Sequence, residues 1–175
     1  MLFRSVNLLE MECDELCVRM IAQWQPAASD LRFMIAALKI TTDLERMGDL
    51  AVNITERALN LMREPALRPL VDIPRMAVLV ESMVHRALDA FAKDDAEMAR
   101  AVLLADDEVD SLRDGVYAEM LAFMQEERAT VDRSVSLMFI AQNLERIADH
   151  ATNIAEDVLF LVKGIDVRHH AETRE

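Results

Sequence analysis

Turn-forming residues are scarce in this chain: three Gly and four Pro in 175 residues. A β-sandwich or barrel needs a turn every roughly 8–12 residues, so those folds are excluded. Two Cys cannot supply a disulfide framework. No run reaches the roughly 18 apolar residues of a membrane span. The N-terminal MLFRSVNLLEMEC lacks a signal-like apolar stretch before its acidic residues. Basic residues are also in deficit, 19 against 32 acidic, for a net charge of −13. Such a surface repels a phosphate backbone, so nucleic acid is not an expected partner. It attracts cations, or basic patches on other proteins. The reading is a cytoplasmic protein with reduced thiols.

What remains is helix-forming. The chain is 53% apolar and 29% charged, rich in Ala, Leu, Met, Glu and Arg, and so all-α. Hydrophobic spacing predicts helices over about 3–24, 29–63, 74–93, 95–125 and 130–163. Pro26 breaks the first pair, and Pro65, Pro69 and Pro74 bracket a linker at 64–73. Asp94 with Glu97 reads as a capping box opening the fourth helix. Gly115 is a weak point within it. Lys163 followed by Gly164 reads as a helix stop, with a frayed tail over 165–175.

An internal repeat organises these helices. Residues 41–61 and 141–161 share ten of 21 positions, including Leu44/Leu144, Glu45/Glu145, Arg46/Arg146, Asp49/Asp149 and Asn53/Asn153. Upstream, 4–16 aligns with 100–112 at an offset of 96. The domain reading is a first repeat at 1–63, a linker at 64–73 and a second repeat at 74–164. The second repeat has three helices and the first only two, so its apolar seam is expected to stay open. That seam is to be closed by a second copy, or by packing on the other repeat.

The seam is read as Ile40, Leu44, Met47, Ala51, Ile54, Ala58 and Leu61, matched by Ile140, Leu144, Ile147, Ala151, Ile154, Val158 and Leu161. At about 100° per residue, Asp49 and Asp149 point away from it. Arg46, Asn53, Arg146 and Asn153 flank them. Glu45 and Asp49 are carboxylates four apart, an arrangement that costs an isolated helix roughly 0.2–0.5 kcal/mol. The same spacing recurs in Glu10/Asp14, Asp106/Asp110 and Glu145/Asp149. Hard carboxylate ligands on neighbouring helices suit Mg²⁺, Ca²⁺, Mn²⁺ or iron. The plainer reading is a solvated acidic face with local pairs to Arg46 and Arg146. Cys13 and Cys17 lack the further ligands of a zinc site and read as core or incidental. His150 aligns with Leu50 in the repeat and so is not a repeated ligand. No Glu-x-x-His, phosphate loop or GxSxG occurs, which argues against enzymatic chemistry.

Gln25-Pro26-x-x-x-Asp30-Leu31-Arg32, then Asp43-Leu44-Glu45-Arg46-x-x-Asp49-x-x-x-Asn53-Ile54, resembles the first half of the PhoU family. Asn143-Leu144-Glu145-Arg146-x-x-Asp149-His150-x-x-Asn153-Ile154 resembles its second half. The resemblance implies tandem antiparallel three-helix bundles, the first without its N-terminal helix. It implies a non-enzymatic negative regulator of phosphate uptake and starvation signalling. Implied partners are the phosphate ABC importer's ATPase, a sensor histidine kinase and a second copy in a homodimer. Metal sites are implied at Glu10, Asp14, Glu45, Asp49, Asp106, Asp110, Glu145 and Asp149. The ion could be Fe, Mg, Mn, Zn or Ca. Arg46, Asn53, Arg146 and Asn153 stand beside the sites as supporting or partner-contact residues.

Overall fold

The computed structural model describes residues 2–63, 67 and 72–163, with side chains from residue 6 onward. Five helices follow one another: α1 (Leu2–Trp24), α2 (Ala28–Leu61), α3 (Asp72–Lys93), α4 (Ala96–Glu126) and α5 (Val131–Lys163), with a short 3₁₀ turn at Arg128–Thr130. No strand occurs among the described residues. Asp72 and Ile73, assigned to the linker from sequence, belong to α3. Pro74 fits in that first turn because the N–H it lacks would have no helical acceptor there. The Gly164 stop and the tail lie outside the described residues.

The α3–α4 junction differs from the expected capping box. Asp95, not Asp94, is the N-cap, and its Oδ1 accepts from the amides of Glu97 and Met98 at 3.0 Å each. Asp94 takes a left-handed backbone, φ 52°, which short polar side chains tolerate. The Asp95 amide then donates to Ala90 O at 2.9 Å and closes α3. At the other end of α4, the buried Thr130 hydroxyl lies 2.6 Å from Glu127 O and 3.0 Å from Phe123 O. That hydroxyl ties the turn into α5. Gly115 does not interrupt α4.

Helices α3, α4 and α5 pack on one another, and α2 lies along α5. Met76, Val80 and Met83 of α3 meet Val102, Val109, Val116 and Met120 of α4 and Ile140, Ala148, Ala151, Ile154 and Val158 of α5. Ile40 and Met47 join this core from α2. Helix α1 packs on α2 alone among the described elements.

The predicted seam holds on α5 and fails in part on α2. On α5 only Ile147 and Leu161 of the seven fall short of full burial. On α2 the buried line is Ala36, Ile40, Asp43, Met47 and Leu50. Leu44, Ile54, Ala58 and Leu61 are half-buried and Ala51 is exposed. Both lines have heptad spacing and share Ile40 and Met47. The line through Asp43 and Leu50 is the buried one because it faces α5, where Asp43 meets His150, while Leu44, Ile54, Ala58 and Leu61 pack on the edge of the same core.

Candidate functional site

The second repeat brings its acidic pairs together. Asp106 and Asp110 stand on α4, Glu145 and Asp149 on α5. Burial and the neighbouring carboxylates of Asp149, Asp110, Asp107 and Glu145 push Asp106 up to about 6. Burial and Asp149 raise Glu145, opposed by Arg113. Burial and Asp110 raise Asp149, opposed by His150, Arg113 and Arg146. Crowding carboxylates in partial shelter from water disfavours their charged forms. One cation already sits among them. Arg113 Nη1 donates to Glu145 Oε1 at 2.7 Å and lies 3.3 Å from Asp110 Oδ1.

The first repeat offers less. Glu10 and Glu45 are half-buried, and Asp14 and Asp49 are exposed. Among the described residues no ion pair joins these four to a cation. The position equivalent to Arg113 is Cys17, which is buried. Burial, followed by Cys13 and Asp14, raises the Cys17 thiol above its ordinary range. As the wheel predicts, Asp49 and Asp149 are both exposed. Among the described residues no three Asp, Glu, His or Cys side chains converge closely enough to hold one ion as they stand.

The polar chemistry that sequence reasoning missed lies between α2 and α5. His150 Nδ1 lies 2.8 Å from Asp43 Oδ1, and both side chains are largely sheltered. Lys39 Nζ donates to Asp157 Oδ1 at 3.0 Å. The Arg57 guanidinium lies 4.2 Å over the Phe139 ring, a cation–π contact. Adding 100 to Lys39 and subtracting it from Asp157 gives Phe139 and Arg57, so these two contacts are the same contact seen from the two repeats. Two cavities obey the same exchange. One of about 460 Å³ is lined by Asn53, Glu56 and Arg57 of α2 and Gln142, Asn143 and Arg146 of α5. The other, about 420 Å³, is lined by Asn153, Glu156 and Asp157 of α5 and Thr42, Asp43 and Arg46 of α2. A third, about 290 Å³, holds Arg46, Asp49, Asn53, Arg146 and His150. Arg46, Asn53, Arg146 and Asn153 are all exposed and line the mouths of these cavities between α2 and α5.

The profile of the PhoU domain matches residues 4–58 and 73–158. The chain belongs to the PhoU family. It is 42% identical over 171 residues to the phosphate-specific transport system accessory protein PhoU homolog of Pseudomonas aeruginosa, covering 97% of this chain and 71% of that one. It is 36% identical over 166 residues to PhoU of Escherichia coli, covering 95% and 69%. The crystal structure of PhoU from Pseudomonas aeruginosa superposes with a TM-score of 0.89 at 40% identity, over 93% of this chain and 78% of that one. That of the phosphate transport system regulatory protein PhoU from Streptococcus pneumoniae gives 0.86 at 28% identity, over 94% and 77%. The PhoU fold of helical bundles is therefore the fold of this chain. Among the described residues no helix is long and apolar enough to cross a membrane.

Proposed function

We propose that the chain is an accessory regulator of phosphate transport that restrains uptake and the starvation response. It does so in the cytoplasm, by binding the importer's ATPase and a sensor histidine kinase. The observation that carries this reading is the PhoU match over 97% of the chain. In cells deleted for the endogenous protein, this chain should restore repression of phosphate uptake in phosphate-rich medium. Unrepressed uptake despite normal expression would sink the reading.

Within that role the acidic sets bind divalent or iron cations. The donor set is chemically suited, being all carboxylate oxygen. Burial first, and then the neighbouring carboxylates, raise Asp106, and a bound cation would oppose that rise. Loading the second repeat requires Arg113 to leave Glu145 and Asp110, after which Asp106, Asp110, Glu145 and Asp149 would hold the ion. The second site is expected to be the better ordered, because α4 and α5, which carry it, pack on each other and on α3, and ordering side chains costs entropy. Elemental analysis should show Asp149→Ala losing more metal than Asp49→Ala. Equal losses would contradict the asymmetry.

A metal-free interaction bundle is favoured by one specific observation, the Arg113 contact with Glu145 at 2.7 Å. There a partner's basic side chain would stand where Arg113 stands. Metal-free purified protein that still binds the ATPase would support this second reading. For the homodimer, the support is the apolar stripe along one face of α1, where Leu9, Leu16 and Met20 are exposed. Patches of this kind are rare on soluble monomers. Light scattering at low micromolar concentration should give about twice the 19.8 kDa chain mass. A 19.8 kDa particle that binds no hydrophobic dye would refute it.

A further inference from the structure

The two repeat-related cavities between α2 and α5 have opposite electrostatic character. Around the larger stand Arg57 and Arg146 against one carboxylate, Glu56. Around the smaller stand Lys39 and Arg46 against three, Asp43, Glu156 and Asp157. Its Lys39 is already bound to Asp157, and Asp43 to His150. Among the described residues neither Arg57 nor Arg146 forms an ion pair. In a chain of net charge −13, two guanidinium groups without a direct ion pair in one concave site are unusual, and the carboxylates nearest Arg146 outside the cavity, Asp149 and Asp49, act on it only at a distance.

The Arg57 guanidinium is also held. Phe139 covers one face of it, and the N–H donors lie in its plane, so the ring consumes none of them. Asn53, Asn60 and Gln142 add neutral amide donors around the same space. Two charged forks and several amides form a donor-rich site for a small oxyanion. Glu56 narrows the choice. A carboxylate repels a fully ionised anion such as sulfate but accepts a hydrogen bond from one that keeps an O–H, as a monoprotonated phosphoryl group does.

We propose that the cavity formed by Arg57, Arg146, Asn53, Asn60, Gln142 and Glu56 binds a monoprotonated phosphoryl group, one per chain. Arg57 and Arg146 bind the charged oxygens and Glu56 accepts from the P–OH. The repeat-related cavity does not bind, since Asp157 stands where Arg57 stands. The inference rests on these residues and not on the regulatory reading or on metal.

Isothermal titration at low ionic strength, with EDTA present to remove metal-bridged binding, tests it. Inorganic phosphate should bind with a stoichiometry of one per chain, and sulfate at least about tenfold more weakly. Arg57→Gln and Arg146→Gln should each weaken phosphate by at least about tenfold. Asn60→Asp alters an exposed residue and places a second carboxylate in the cavity. It should weaken phosphate too, which guards against loss of folding in the arginine variants. Glu56→Gln should abolish the preference over sulfate. Glycerol phosphate distinguishes the sources. Tighter binding than free phosphate places an organic remainder in the rest of the cavity, and weaker binding identifies the free ion as ligand. No phosphate binding, equal binding of sulfate by the unaltered chain, or unchanged affinity in folded Arg57→Gln would overturn the proposal.

Discussion

Leu16 on α1 and Leu112 on α4 occupy corresponding positions of the two repeats, and both are leucine. Leu112 is 7% exposed and Leu16 is 52% exposed. The local sequence code is the same: an amphipathic helix with apolar residues three and four apart. What differs is coverage. Helix α4 has α3 on one side and α5 on the other, whereas α1 has α2 alone among the described elements. Cys13 and Val109 repeat the lesson, half-buried against fully buried. Periodicity says which face of a helix is apolar, and tertiary neighbours decide whether that face leaves water.

The comparison breaks most visibly under truncation. Leu112→Ala should cost about 2–5 kcal/mol in chemical denaturation, since it removes a buried side chain and leaves a void. Leu16→Ala, measured at a concentration low enough to disfavour association, should cost no more than about 0.5 kcal/mol. Similar losses would mean that α1 is covered in solution, as it would be in a dimer.

The inter-repeat contacts come next. Asp43→Ala should destabilise by about 1–3 kcal/mol, because it strips a sheltered His150 of its partner. His150→Leu, which copies Leu50 of the other repeat, should recover part of that loss in the double variant. Additive effects in the double-mutant cycle would show that the 2.8 Å contact carries no coupling.

A smaller, opposite effect is expected in the acidic set. The folded-state pKa of Asp106 lies above its unfolded value, at about 6 against 3.8. The folded chain therefore holds an extra proton between those values, and stability falls as pH rises through that window. Asp106→Asn should flatten the decline between about pH 4 and 6. Above it the variant should be stabilised by about 1 kcal/mol, a figure reduced for the water that reaches this half-exposed carboxyl. A variant less stable at neutral pH would contradict the account. Smallest of all is Gly115→Ala, a gain of about 0.5–1 kcal/mol in melting. A Cβ there meets nothing nearer than Asp72 Oδ2 at 3.7 Å.

These contrasts also mark what could be read from sequence. The five helices, their ends to within about two residues and the apolar seam of α5 follow from spacing and from Pro26 and Pro74. The acidic pairs of α4 and α5 were legible because they recur. Asp43, His150, Lys39, Asp157 and Arg57 were not, for a physical reason. An interface between two repeats places each residue opposite a non-equivalent position of the other copy. Asp43 therefore meets His150, while the repeat aligns His150 with Leu50. Searching for identical pairs discards these residues, and searching for complementary pairs across the offset would have found Lys39/Asp157 beside Phe139/Arg57. The rotated seam of α2 was hidden because Ile40 and Met47 belong equally to both candidate lines.

The most direct test of unequal coverage is native-state hydrogen exchange, helix by helix, at a concentration low enough to disfavour association. The amides of α4 around Val109, Leu112 and Val116 should exchange only through global unfolding. Those of α1 around Cys13, Leu16 and Met20 should exchange through local opening, orders of magnitude faster, and slow as concentration is raised. Equal, concentration-independent protection of α1 and α4 would contradict the account.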